Sequence, residues 1–230
     1  MTIHPNAVML FAAGFGTRMG ALTQDRPKPL IHVAGRPLID HALDLVDAIN
    51  PDRIVANLHY KPEMLAEHLT PKGVLLSHEQ PDVLETGGGL RAALPLLGDA
   101  PVYTLNPDAI WVGPNPLQML KMAWNPDEMD ALLICIPTAQ AVGFQRDGDF
   151  DVDTQGHIRR GTQLVYGGAQ IIKTQGLFDI DEPTFSLNLL WDKMLHKNRL
   201  FALNYPGQWC DVGNPAGLAL AKSMLEHADV

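Results

Sequence analysis

The sequence predicts a single α/β domain with a mixed, mostly parallel sheet, helices on both faces and a small β insertion. Apolar runs of strand length alternate with segments of helical periodicity from the start of the chain, a pattern typical of a parallel sheet covered by helices. The 230 residues suffice for one sizeable domain, and hydrophobic residues make up 46% of them, so we expect a substantial core.

The elements follow one another in a regular order. The first apolar run, over residues 7–13, ends at Gly14 and predicts a strand followed by a glycine loop. Apolar residues at helical spacing then precede Asn50, which predicts a helix before the next strand. The further predicted strands cover 53–58, 74–77, 101–105, 131–137, 169–173 and 200–205. The further predicted helices cover 62–69, 90–97, 116–123, 186–196 and 215–227.

The character of the chain changes between residues 139 and 165. Glycines, aspartates and short alternating runs such as 149–153 predict hairpins here instead of crossover helices. We expect this segment to be an insertion or lid beside the main sheet. No internal repeat or linker interrupts the rest, so residues 1–230 are interpreted as one domain.

Charge and cysteine content restrict the partners and the location. Asp and Glu number 26 and Lys and Arg 17, so the formal net charge is −9, which argues against nucleic acid or an anionic membrane as a partner. Cys135 and Cys210 stand alone, with no CxxC pair or disulfide framework, which favours a reducing cytoplasm. The first residues lack a basic and apolar leader pattern, so we expect no export signal.

The glycine loop over residues 10–19, LFAAGFGTRM, predicts a phosphate site. Glycines directly after a buried strand let backbone N–H groups approach an anion closely. A dinucleotide fingerprint would need glycine where the chain has Met19, and a P-loop would need Gly-Lys-Ser/Thr where it has Met19-Gly20-Ala21, so both are excluded. A tight turn without a ligand is the simpler alternative.

Two basic residues favour the phosphate interpretation. Lys28 lies between Pro27 and Pro29, and the two rings stiffen the backbone that carries the ammonium group. Arg18 offers a planar guanidinium that can bind phosphate oxygens in pairs. A single surface lysine is usually only solvated, but Lys28 comes ten residues after Arg18 of the glycine loop.

Taken together, LxAAGxGTRM and PKPL (27–30) resemble the signature of the sugar-1-phosphate nucleotidyltransferase family. Later segments match in order: ETGGG (85–89), LNPD (105–108), GDF (148–150) and WCDVG (209–213). The ETGGG segment is similar to the branch that includes N-acetylmuramate-1-phosphate uridylyltransferase. The resemblance covers essentially the whole chain and implies a Rossmann-like fold of the nucleotide-diphospho-sugar transferase type.

The resemblance also implies roles for individual residues. It implies Arg18 and Lys28 as catalytic residues and assigns nucleotide binding to Ala12, Ala13, Gly14, Gly16, Thr17, Glu85, Thr86, Gly87 and Gly88. It assigns the acceptor side to Asn106, Asp149, Gly168 and Asn188. The three glycines could read a flat base through backbone groups, or they could form a helix entry capped by Thr86. Asp149 could equally be a turn residue in an acidic loop.

Nucleotidyl transfer needs a divalent cation, and Mg²⁺ prefers carboxylate oxygens. Asp108 and Asp211 each follow an apolar strand, so both could emerge at one carboxyl edge of a parallel sheet, where α/β ligands gather. Taken singly, such aspartates more often cap helices or form turns. The resemblance assigns both as ligands of Mg²⁺.

Pro107 departs from the family pattern, which has a small residue before the metal-binding aspartate. Proline removes one backbone donor and fixes φ, so the loop either tolerates it or aims Asp108 differently. The expected reaction joins a nucleoside triphosphate, UTP in the first place, to a sugar 1-phosphate, N-acetylmuramate 1-phosphate in the first place. Mannose 1-phosphate with GTP, glucose 1-phosphate with UTP or dTTP, phosphocholine with CTP, and a non-catalytic nucleotide-sugar binding module remain open. The oligomeric state is not predicted.

Overall fold

The computed structural model describes residues 4–228, so residues 1–3, on which the expectation about a leader partly rests, and 229–230 lie outside it. In chain order the strands are β1 (Ala7–Phe11), β2 (His32–Val33), β3 (Arg36–Pro37), β4 (Arg53–Leu58), β5 (Leu75–His78), β6 (Val102–Leu105), β7 (Ala109–Val112), β8 (Ala131–Pro137), β9 (Ala141–Val142), β10 (Phe150–Val152), β11 (Ile158–Arg160), β12 (Leu164–Ile172), β13 (Leu200–Asn204) and β14 (Gln208–Asp211). The α-helices are α1 (Leu38–Asp47), α2 (Pro62–Leu69), α3 (Glu85–Leu97), α4 (Pro116–Ala123), α5 (Asn188–His196) and α6 (Pro215–Ala228).

The main sheet is mixed. Strands β5, β4, β1 and β6 lie side by side and run parallel. Strand β12 runs antiparallel to β6 and also pairs with β8, and β13 runs parallel to β8. This confirms the predicted α/β class, because the strands of the parallel group are connected by helices.

Helices cover both faces of the main sheet, and β1 shows why. Val8 and Leu10 point to a core that includes residues of α1, α2 and α4. Ala7 and Met9 point to the opposite core, which includes residues of α3 and α5. Side chains alternate across a strand, so a run that is apolar at every position buries both of its faces. Within residues 4–228, no helix is both long enough and apolar enough to span a bilayer.

The hairpin expected beside the sheet is instead part of it. Strands β10 and β11 pair antiparallel, and Phe150 of β10 pairs with Leu164 of β12, so the hairpin forms an edge of the main sheet. Phe150 is fully buried and its ring packs against the ring of Trp191 on α5, with 5.9 Å between centroids. This nonlocal packing joins the hairpin to the domain core.

The protein also contains a second, three-stranded sheet. Strand β14 pairs antiparallel with β7 and parallel with β9. Ile110, Cys210 and Val212 from this region form a small core with Ala221 of α6. The second sheet places the carboxyl end of β14 directly beside the segment between β6 and β7.

Candidate active site

A cavity of about 310 Å³ opens where β1 and β6 end. The site is at the carboxyl edge of the parallel strands, the usual ligand position in α/β folds. Its lining contains most of the sequence-predicted site residues: Ala12, Ala13, Gly14, Gly16, Thr17, Arg18, Lys28, Glu85, Thr86, Asn106 and Asp108. The predicted residues Gly87, Gly88, Asp149, Gly168, Asn188 and Asp211 do not line this cavity.

The glycine loop leaves room for an anion. Within residues 4–228, the backbone N–H groups of Gly14, Phe15 and Gly16 have no protein acceptor. A Cβ at Gly14 would meet no atom within 4 Å, whereas one at Gly16 would lie 2.9 Å from the Lys28 Cβ, and Gly16 also has a φ of +65°. Free amide donors on an open loop are the features of a phosphate site.

Lys28 forms an ion pair across the cleft. Its Nζ donates to the Asp108 Oδ2 at 2.6 Å, and the two side chains are 11% and 35% exposed. Burial acts to raise the pKa of Asp108, but the ammonium of Lys28 outweighs it and holds the pKa below the usual value. The Asp108 carboxylate is therefore charged at neutral pH, and Asp108 lines the cavity together with Pro107.

Asp211 lies beside Asp108. The N–H of Val212 donates to the carbonyl of Asp108 at 2.9 Å, and Asp211 is the register partner of Ala109. Burial raises the pKa of Asp211, and the nearby charge of Asp108 raises it further. The expectation that both acids end parallel strands of one sheet is wrong for Asp211, which arrives on the antiparallel strand β14.

Arg18 reaches the same place from the glycine loop. A Cβ at Gly213 would lie 2.8 Å from the Asp211 Oδ2 and 2.9 Å from the Arg18 Nη1, so both groups lie directly above this glycine. The guanidinium is exposed and carries no hydrogen bond to any group in residues 4–228. A cation and an acid that are not ion-paired within 4 Å in the described residues leave the cleft able to bind both an anion and a cation.

The glycine triplet serves packing. Helix α3 begins at Glu85, so the triplet lies in its first turns, as the helix-entry alternative had it. The N–H groups of Gly87 and Gly88 both donate to the carbonyl of Phe185, at 2.8 and 3.1 Å, and are therefore not free to read a base. The Thr86 hydroxyl accepts from the N–H of Leu187 and holds the same segment instead of capping the helix.

The predicted acceptor residues are dispersed. The carbonyl of Gly168 accepts from the N–H of Asn106 at 2.8 Å, so Gly168 supports a cleft residue. The Asp149 carboxylate accepts from the N–H of Tyr166 at 2.9 Å. Asn188 is exposed at the start of α5 and donates to the Ser186 hydroxyl. Of the four residues only Asn106 lines the cavity.

Sequence reasoning overlooked several residues that line the cleft or act on its acids. Asn57 lines the cavity at the carboxyl side of β4, and a polar residue within a buried apolar strand was the available signal. Arg146 acts on Asp211 through its charge, and its position beside the GDF motif was a weaker signal. Gly213 was quoted as part of a motif without a role, because only the structure shows what lies above it.

The donor set suits a hard cation. Two adjacent carboxylates with unequal pKa values meet here, and within the described part of the chain no group of three His, Cys, Asp or Glu side chains could hold a metal. Mg²⁺ commonly uses one or two carboxylates and takes its other oxygens from substrate phosphates and water. The two carboxylates are therefore a donor set of the kind that Mg²⁺ uses.

The known proteins that resemble this chain are nucleotidyltransferases. Residues 8–209 match the family model described as the MobA-like NTP transferase domain. The chain is 36% identical to N-acetylmuramate α-1-phosphate uridylyltransferase of Caulobacter vibrioides, with 99% of this chain and all of that protein covered. It is 28% identical to the enzyme of the same name from Neisseria meningitidis serogroup B, with 94% and 96% covered.

A solved structure shares the fold. UDP-glucose pyrophosphorylase complexed with UDP-glucose superposes with a TM-score of 0.79, covering 97% of this chain and 99% of that one. The two sequences are 14% identical, so the similarity concerns the fold alone.

Proposed function

The chain belongs to the family of MobA-like NTP transferase domains, and we propose that it joins UTP to N-acetylmuramate 1-phosphate. A phosphate oxygen of the sugar phosphate attacks the α-phosphorus of UTP in line. The bond from the α-phosphorus to the bridging oxygen breaks, and pyrophosphate leaves with the bonding electrons. The products are the uridine diphosphate sugar and pyrophosphate, with no covalent enzyme intermediate.

One observation carries this proposal: the cationic glycine loop and Asp108 line one cavity, and Asp211 lies beside Asp108. Free amides at Gly14 and Gly16 and the guanidinium of Arg18 favour the triphosphate. Lys28 lies between the loop and Asp108, a position suited to the α-phosphate. Catalysis at phosphorus depends mainly on positioning and charge stabilisation, which are what these groups provide.

We propose that Asp108 and Asp211 hold Mg²⁺ in the loaded enzyme. When bound, the ion supplies positive charge that neutralises phosphate oxygens. The raised pKa of Asp211, due to burial and then to the charge of Asp108, supports this, because a cation would relieve the repulsion between the acids. Glu85 and Thr86 remain proposed contacts of the base and ribose, since both line the cavity.

The choice of substrates rests on the relatives. Both named relatives are uridylyltransferases acting on N-acetylmuramate α-1-phosphate, and the one from Caulobacter matches over its full length. Asn106 is the acceptor-side residue that lines the cleft, so we propose it as a contact of the sugar phosphate. A cytoplasmic location is also proposed, supported by the two buried, unpaired cysteines.

The test is a panel of four nucleoside triphosphates against several sugar 1-phosphates with Mg²⁺, scored by pyrophosphate release. The proposal predicts the highest kcat/KM for UTP with N-acetylmuramate 1-phosphate. A clear preference for another pair would correct the substrates while leaving the reaction class. Tight nucleotide-sugar binding without pyrophosphate would instead favour a binding module.

A further inference from the structure

Glu79 is a buried carboxylate that has no ion-pair partner in the described part of the chain. It is 2% exposed, and within residues 4–228 it forms no salt bridge. Taking a carboxylate out of water is expensive unless hydrogen bonds compensate for the lost hydration. Two do so: the Asn57 side-chain amide donates to Oε1 at 2.7 Å and the N–H of Leu84 donates to Oε2 at 2.7 Å.

These bonds belong to a series of hydrogen bonds, called here the hydrogen-bond chain, that connects two segments lining the cleft. The N–H of Ala12 donates to the Asn57 Oδ1 at 2.7 Å, and Asn57 in turn donates to Glu79. One end of the chain is therefore the loop that follows β1, and the other end is Leu84, directly before α3. Ala12 at one end, and Glu85 and Thr86 directly after the other, line the cavity.

The donors at both ends of the hydrogen-bond chain permit only one assignment of donor and acceptor roles to the two side chains. Both ends are backbone N–H groups, which can only donate. Asn57 must accept from Ala12 and donate onward, so Glu79 must accept at both of its oxygens. A glutamine at position 79 would set two N–H donors against each other at one of the contacts.

Gly89 makes room for this arrangement. A Cβ at Gly89 would lie within van der Waals overlap of the Glu79 Oε1 and 2.9 Å from the Asn57 Nδ2. The third glycine of the triplet thus allows α3 to approach the pair, and any larger residue would push the carboxylate away. The Glu79 carboxylate, the Asn57 amide and Gly89 therefore pack directly against one another.

We propose that Asn57 and Glu79 are positioning residues that set the distance between the glycine loop and the start of α3, and thereby shape the pocket for the nucleoside triphosphate. Neither is proposed to touch a reacting atom. The inference rests on the proposed function for its substrate, but its own readout is nucleotide affinity, which needs no turnover.

The test exchanges the amide and the carboxylate between positions 57 and 79, and is called here the polarity swap. Glu79→Gln and Asn57→Asp each break the chain, the first by opposing donors and the second by opposing carboxylates. In the double variant the aspartate accepts from Ala12 and from the glutamine amide, and the glutamine oxygen accepts from Leu84, so every bond is restored. Glu63→Gln, at an exposed position in the first turn of α2, is the matched control.

We expect each single variant to weaken UTP binding about tenfold, which corresponds to about 1.4 kcal/mol, and to raise KM for UTP by a similar factor. KM for the sugar phosphate should change less than twofold, and the double variant should recover UTP affinity to within about threefold of wild type. Unchanged affinity in both single variants would overturn the inference, as would a double variant no better than the worse single one.

The two proposals can fail separately. Wild-type protein that binds UTP but releases no pyrophosphate would refute the proposed function, and the polarity swap would still be judged by UTP affinity. Loss of thermal stability in the single variants with no loss of UTP affinity would show a purely structural role and overturn the inference. Failure of wild-type protein to bind any nucleoside triphosphate would overturn both.

Discussion

Two clusters of charged groups in this molecule differ in how completely their members are ion-paired. Asp130 accepts from Lys173 at 2.9 Å and from Arg199 at 2.8 Å, so two cations serve one acid. In the cleft, Asp108 and Asp211 lie side by side and Lys28 pairs with only the first. Each charged side chain of the Asp130 cluster has an ion-pair partner, whereas among residues 4–228 neither Arg18 nor Asp211 has one within 4 Å, so both stay available to a ligand.

The pKa values of Asp130 and Asp211 are shifted in opposite directions, which reflects the same difference. Burial acts to raise the pKa of Asp130, but the hydrogen bonds from Arg199 and Lys173 outweigh it and leave the pKa below its usual value. The pKa of Asp211 is raised by burial and by the charge of Asp108. The ionised form of Asp130 is thus more stable in the folded protein than in water, and the ionised form of Asp211 is less stable there.

The largest expected effect separates the clusters by activity. Asp211→Asn should lower kcat/KM by at least about 100-fold, because it removes one of the two carboxylates proposed to hold Mg²⁺. Its thermal stability should not fall, since the substitution relieves repulsion from Asp108. Pyrophosphate release and thermal melting measure the two quantities. A variant that keeps wild-type turnover would refute the role of this acid.

A smaller loss should follow from filling the space between two cleft groups. Gly213→Ala places a methyl group 2.8 Å from the Asp211 carboxylate and 2.9 Å from the Arg18 guanidinium, so one of them must move. A shift of this size should reduce kcat/KM by about 10- to 100-fold. Melting temperature serves as the control, and unchanged turnover would mean that these two groups are not fixed during catalysis.

The Asp130 cluster should respond in stability alone. Asp130→Asn should lower the free energy of unfolding by about 1 kcal/mol, a figure that allows for solvent screening of a partly exposed group. Turnover should stay within about twofold of wild type. Urea unfolding at neutral pH measures the first quantity, and a large loss of activity would show that the two clusters are coupled.

The smallest effect concerns pH. Because the folded-state pKa of Asp130 is lowered, its stabilisation is present above the unfolded-state pKa of about 3.9 and is lost as pH falls through the folded-state value. The stability difference between wild type and Asp130→Asn should therefore be constant from pH 7 to 5 and shrink below pH 4. Urea unfolding across this range would reveal a contradiction if the difference grew instead.

Local signals predicted the parts of the fold that depend on neighbouring residues. The bounds of β4, α2, α4 and β8 agree with the sequence analysis, because prolines or buried apolar runs mark their ends. The position of the β10–β11 hairpin could not be predicted in this way. It depends on the pairing of Phe150 with Leu164 and on a contact with Trp191, which is 41 residues further along the chain.

The same distinction holds within the site. The residues of the glycine loop and Lys28 are close in sequence, and the structure brings them together in one cleft. Asp211 reaches Asp108 through the pairing of β14 with β7, a register that the sequence does not display. The amides of Gly87 and Gly88 are occupied by Phe185, nearly a hundred residues away, so their packing role was visible only after folding.

The most direct test of the central claim follows the α-phosphate of the nucleotide. Wild-type protein is supplied with Mg²⁺, N-acetylmuramate 1-phosphate and UTP that carries a radioactive label at either the α- or the γ-phosphorus. The account predicts that the α-label enters the nucleotide sugar and the γ-label enters pyrophosphate in equal amounts. Release of the γ-label as orthophosphate, or no transfer of the α-label, would contradict it.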